Sequence, residues 1–186
     1  MSELLADEPS NPLIVSSEIV FKGKVWDIRS EVFDYDNQEL TREFTDHSGA
    51  VAVLAIDDHG RALLIQQYRH PIRMRDWEIP AGLLDVDNED PLDAAKRELE
   101  EEVDLVASEW TDIVDFYSSP GGSNELIRVY LATGLSASSK PFERVDEEAH
   151  IVKRWVALDE IVAAVLDGRL KNSILAIAVL AAHARG

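Results

Sequence analysis

The 186 residues suffice for one domain with a substantial core. Thirty-six acidic against 18 basic residues give a net charge of −18, which repels a phosphate backbone and argues against sequence-blind nucleic-acid binding. Cysteine is absent, which excludes disulfides and fits a reducing cytoplasm, and the longest apolar run, Ile174–Ala182, is nine residues against the roughly 20 needed to span a bilayer.

Residues 1 to about 15 are polar and proline-containing, an arm outside the core, and their acidic start lacks the character of a signal peptide. Alternating β-prone stretches at Ile19-Val20-Phe21 and Val25-Trp26-Asp27-Ile28 flank a turn at Lys22-Gly23-Lys24, and Thr41–Thr45 offers another strand. Ala50–Ile56 and Ala62–Tyr68 enclose Asp57-Asp58-His59-Gly60, which predicts a β-hairpin. Asp90 suits a helix N-cap, Pro91 the first helical position, and Asp93 the acidic position of a capping box. Leu92, Ala95, Leu99 and Val103 make the apolar stripe of that helix. Further strands are expected at Thr111–Tyr117, Leu126–Ala132 and Ile151–Ala157, then helices at Leu158–Leu166 and Ser173–His183, the last capped by Asn172. Strands, a helix, more strands and then helices predict an α/β fold, a mixed sheet with helices on both faces.

The acidic helix carries the chemistry. Glu98, Glu101 and Glu102 fall at i, i+3 and i+4, with Cβ atoms roughly 5–6 Å apart. Three crowded carboxylates repel one another, and a divalent cation turns them into an oxygen-ligand site. A solvated acidic face is the commoner meaning of a glutamate run. That reading leaves Gly82, Glu89 and Arg97 at their spacing unexplained.

Those residues resemble the Nudix box: Gly, five residues, Glu, seven residues, Arg-Glu-apolar-any-Glu-Glu-any-Gly-apolar. Arg97-Glu98-Leu99-Glu100-Glu101-Glu102-Val103-Asp104-Leu105 matches its core, with Glu89 correctly spaced. Six residues, not five, separate Gly82 from Glu89, and Asp104 replaces the glycine. Aspartate tolerates the left-handed turn that such a glycine would serve. The resemblance implies a Nudix α/β/α sandwich over 49–186 and a small N-terminal β-region over 1–48 used in dimerisation. It further implies Mg²⁺ or Mn²⁺ bound by Glu98, Glu101, Glu102 and the Ala81 carbonyl, with Arg97 orienting the glutamates and Glu89 in a similar structural role.

The resemblance also implies a general base in Asp146-Glu147-Glu148, at Glu147 or else Glu148, where ADP-ribose pyrophosphatases of this family carry a loop glutamate; a solvated acidic turn is the plain alternative. Ser119-Pro120-Gly121, with Pro120 sixteen residues past Asp104, resembles the ADP-ribose pyrophosphatase branch. In that branch Arg69, Arg42 and Glu43 match positions lining the substrate site, and Phe21 or Trp26 would stack on adenine unless it serves the core. The implied activity is hydrolysis of ADP-ribose to AMP and ribose 5-phosphate by a cytoplasmic homodimer. The alternatives are another nucleoside diphosphate sugar as substrate, or a non-hydrolytic nucleotide sensor. No nucleic-acid or membrane partner is expected.

Overall fold

The computed structural model describes residues 4–140, 142 and 151–186. The chain forms two compact units, Met1–His47 with Ser119–Asn124, and Ser48–Ser118 with Glu125–Gly186.

In the first unit, β1 (Leu13–Lys22), β2 (Asp27–Tyr35) and β3 (Gln38–Asp46) form an antiparallel sheet in that order. Strand β1 begins earlier than the polar arm was expected to end, because Leu13 and Ile14 already pair with Asp34 and Phe33. Asp36 and Asn37 close the β2–β3 hairpin with φ of 55° and 61°, the paired left-handed conformation of a type I′ turn. Residues 119–124 dock along the end of β3: Thr45 N–H donates to the Gly122 carbonyl at 2.9 Å, and His47 N–H to Asn124 Oδ1 at 2.7 Å.

In the second unit, β7 (Ala81–Leu83), β4 (Ala50–Ala55), β9 (Leu126–Ala137) and β8 (Leu105–Tyr117) form a mixed sheet in that order. Only β4 and β9 run parallel. A second, antiparallel sheet orders β10 (Val152–Ala157), β5 (Arg61–Arg69) and β6 (Met74–Glu78). The helices are α1 (Pro91–Val103), α2 (Leu158–Leu166) and α3 (Ser173–Arg185). Among the described residues no helix is long and apolar enough to cross a membrane.

Strand β4 is buried throughout, as its unbroken apolar run requires of a strand covered on both faces. Its side chains alternate. Ala50, Ala52 and Leu54 pack with Ile161, Val162, Leu175 and Val179 of α2 and α3. Val51, Val53 and Ala55 pack with Ala94, Ala95, Leu99 and Val103 of α1. Helices therefore cover both faces of the sheet, an α/β/α arrangement. Each large aliphatic side chain buried here contributes about 1.5–3 kcal/mol.

Two local expectations are corrected. The turn after β4 forms, with Asp57 accepting from the N–H groups of His59 and Arg61, yet β4 and β5 enter different sheets after a single bridge, Ile56 to Ala62. The turn chemistry is local, whereas β4 finds more partners in β7 and β9. Asp93 pairs with Lys96 at 2.9 Å instead of closing a capping box. Asp90 does cap α1, accepting from Leu92 N–H at 2.9 Å.

Candidate active site

The stripe that buries Leu99 and Val103 places the next residue round the helix, Glu102, at the edge of the core. Glu102 is 7% exposed, and its Oε2 accepts from the Ala81 N–H at 3.1 Å. Glu98 seats against the same strand: a Cβ on Gly82 would overlap its carboxyl group, so glycine opens the space that the carboxylate fills. Glu101 is more open.

Arg97 organises the cluster. Its Nε and Nη2 donate to the two oxygens of Glu89 at 3.0 and 2.9 Å, a bidentate pair. Its Nη1 donates to Glu98 at 2.5 Å and to Glu101 at 3.2 Å. Its guanidinium is held above its ordinary value chiefly by the bonds to Glu89, against the effect of burial. The loop before α1 contains a turn at Val86–Glu89, where Asn88 takes φ 62° and Glu89 N–H donates to the Val86 carbonyl at 3.2 Å. Asp104 ends α1 in the left-handed region, φ 62° and ψ 33°.

The Glu89 carboxyl is held below the usual carboxylate range, chiefly by its hydrogen bonds from Arg97. A lowered folded-state value gives stability that is complete above the ordinary pKa and is lost as pH falls through the folded one. The Tm gap between wild type and Glu89→Gln is therefore expected to hold from neutrality to about pH 5 and to close in stronger acid. Calorimetry across pH reads this; a gap that does not narrow in acid rules the pairing out.

Arg69, at the end of β5, donates through Nε and Nη2 to both oxygens of Glu78 at 2.7 and 2.6 Å. Glu78 is 5% exposed. Glu78 is the main reason the Arg69 guanidinium is held above its ordinary value, against burial, and Glu102 adds to the effect. Arg69 thus sits within the field of the box carboxylates. Sequence reading missed Glu78; its signal is an acid between Trp77 and Ile79, a charge set into an apolar run.

The other expected ligand-contacting residues belong to the first unit. Arg42 and Glu43 lie on β3 opposite Glu31 and Ser30. Ser119, Pro120 and Gly121 form a turn in which Gly122 N–H donates to the Ser119 carbonyl at 3.0 Å, with Pro120 at the position that its fixed φ favours. Trp26 stacks on His47 with ring centroids 4.1 Å apart, and Phe21 is 63% exposed, so neither serves the core. Glu147 and Glu148 lie outside the described residues.

Three carboxylates and a backbone carbonyl are hard oxygen donors suited to Mg²⁺ or Mn²⁺, and the glycine-lined seat of Glu98 keeps one of them beside the Ala81–Gly82 backbone. Among the described residues no three Asp, Glu, His or Cys side chains already converge as a complete ligand set. Arg97 lies between Glu98 and Glu101 and engages both. The donors fit a divalent cation in kind. Beside them is a cavity of about 510 Å³ whose wall includes Arg97, Glu101, Trp110 and Lys140.

Comparison with known proteins bears on the family and the fold. A family model, NUDIX domain, matches residues 46–176. An ADP-ribose pyrophosphatase of Mycobacterium tuberculosis is 44% identical over 91% of this chain and 82% of its own length. An ADP-ribose pyrophosphatase of Bacillus subtilis is 39% identical over 78% of each. The crystal structure of an ADP compounds hydrolase shares the fold, with a TM-score of 0.79 at 18% identity, covering 97% of this chain and 96% of that one. Since the family model spans most of the sequence and the box stands where its glutamates meet the Ala81–Gly82 strand, the chain belongs to the NUDIX domain family.

Proposed function

We propose that the chain hydrolyses the pyrophosphate bond of ADP-ribose, giving AMP and ribose 5-phosphate, with Mg²⁺ or Mn²⁺. The observation that carries this reading is the arrangement of Glu98 and Glu102 on the Ala81–Gly82 strand, with Arg97 bridging Glu89, Glu98 and Glu101. The relatives' names point to the same substrate. Glu98, Glu101, Glu102 and the Ala81 carbonyl would hold the cations. When bound, a divalent cation withdraws charge from phosphoryl oxygens and lowers the pKa of bound water.

The chain's own residues supply the rest. Arg97 keeps the carboxylates from splaying apart. Arg69, aimed by Glu78, presents the remaining face of a half-exposed guanidinium to the diphosphate. Glu147, or Glu148 beside it, takes the proton from the attacking water as the P–O bond to the leaving phosphate breaks. Arg42, Glu43, Ser119, Pro120 and Gly121 line the substrate site, and Phe21 or Trp26 stacks on the adenine. The exposed apolar side chains of β1 (Leu13, Ile14, Val20 and Phe21) favour a homodimer in which a second copy covers them. The cysteine-free composition fits a cytoplasmic setting.

Turnover of ADP-ribose against a panel of nucleoside diphosphate sugars tests the reading. ADP-ribose is expected to give the highest kcat/KM with either metal. Equal or better use of GDP-mannose would reassign the substrate, and binding without turnover of any of them would make the protein a sensor.

A further inference from the structure

The sheet of β10, β5 and β6 has two faces with different company. Residues directly opposite one another in antiparallel strands share a face. The pairs Arg154–Leu64, Val156–Ala62 and Trp77–Gln66 therefore project to one side, and Ile65–Glu78 with Arg69 to the other. Ile65 packs with α1, whereas Leu64 and Val156 pack with α2 and α3. The first side thus faces away from the box.

On that side lies a cavity of about 250 Å³. Its floor is apolar, since Leu64, Val156, Ile161 and Ala164 are all buried. Partly buried Trp77 adds an aromatic wall. Arg154 reaches the rim by the alternation of β10. Arg169 is brought there by Gly168, whose φ of 71° turns the chain back after α2 and lets the Arg169 N–H donate to the Ala164 carbonyl at 2.9 Å.

Both arginines have carboxylate neighbours, Glu160 at 3.5 Å for Arg154 and Asp167 at 3.1 Å for Arg169. These four side chains are 59–64% exposed, and ion pairs this open are weak enough for another anion to displace them. In a chain of net charge −18, two guanidiniums over an apolar hollow with an aromatic wall select an anion with a flat apolar body. The volume falls below the roughly 300–1,000 Å³ of pockets for drug-sized molecules, which limits that body to about one ring.

We propose that this cavity binds a small aromatic anion: one ring on the apolar floor beside Trp77, its carboxylate or phosphate held by Arg154 and Arg169. The site is separate from the box and does not depend on which substrate is hydrolysed.

The test titrates nitrogen-15-labelled full-length protein with benzoate, phenyl phosphate, benzyl alcohol and inorganic phosphate. The Trp77 indole signal, identified by its loss in Trp77→Phe, is expected to move and saturate with benzoate or phenyl phosphate, and the tighter of the two names the anionic group. Arg154→Gln and Arg169→Gln should each weaken that binding roughly three- to tenfold, with kcat for hydrolysis unchanged. Ala164→Leu, which fills the hollow and leaves both arginines, should abolish it. No movement of the signal up to about 10 mM of either aromatic anion would overturn the proposal. So would equal affinity for benzyl alcohol, which marks a hollow indifferent to charge, or for inorganic phosphate, which marks arginines indifferent to the ring. Undiminished binding in the two arginine variants would place the ligand elsewhere, and a parallel fall in kcat would join the cavity to the active site and end its independence.

Discussion

Replacing Glu102 with Gln is expected to lower kcat roughly 10²–10³-fold or more, with the fold intact. The amide has the shape of the carboxylate, and its Oε1 can still accept the Ala81 N–H that Glu102 Oε2 accepts at 3.1 Å. The buried position beside the core therefore keeps its packing and its hydrogen bond. What disappears is a negative charge at a site 7% exposed, among other carboxylates. Relief of the repulsion from the other carboxylates is offset by loss of the attraction to Arg69, so Tm is expected to stay close to that of wild type. Catalysis falls, because a neutral amide is a far weaker ligand for a hard divalent cation. Initial rates over a range of Mg²⁺ and Mn²⁺, with calorimetry on the same samples, read both quantities. Near-normal kcat at saturating metal would strike Glu102 from the ligand set.

Much of this site is legible in the sequence because its determinants are local. Asp90, Pro91 and the Leu92–Ala95–Leu99–Val103 stripe specify α1 within a single segment. The phase of that stripe decides which glutamates lie at the core edge and which face water. The continuous apolar run of β4 likewise announces a strand buried on both faces. Strands β6 and β7 are not legible in this way. Met74–Glu78 is mostly polar and Ala81–Leu83 is only three residues, and both exist because β5 and β4 pair with them from elsewhere in the chain. Glu78 was overlooked for the same reason, since its role depends on Arg69 lying across that pairing. The spacing of Glu89 and Arg97 matches the box and implies a structural role for Glu89, but that the two pair bidentately is a feature of the folded chain that spacing does not encode. The separation of β4 from β5 after their turn shows how a strong local signal yields to better long-range partners.

Gly82→Ala separates the stability of the fold from the placement of a ligand, and its expected result is an active-site defect in a well-folded protein. Gly82 pairs with Val51 in β7, and an added methyl group would meet the Cγ, Cδ and Oε1 atoms of Glu98. Those atoms are the far end of a flexible side chain, so Glu98 swings aside and the strand stays where it is. The stability change should be small, about 1 kcal/mol or less, which for a chain of this size moves Tm by about 2–4 °C. The displaced carboxylate leaves the Ala81–Gly82 backbone and its bond from Arg97 Nη1. Hydrolysis at a fixed low metal concentration should then fall roughly 10–100-fold, as when the supports of a ligand are disturbed. Because Glu98 remains in the chain, higher Mg²⁺ or Mn²⁺ should restore part of the rate, which the charge-neutralised Glu102→Gln cannot match. Metal titrations of the two variants side by side distinguish the cases. Full activity in Gly82→Ala at low metal would mean that the seat of Glu98 against β7 is irrelevant to cation binding, and a cooperative loss of structure would place the clash on the backbone instead of the side chain.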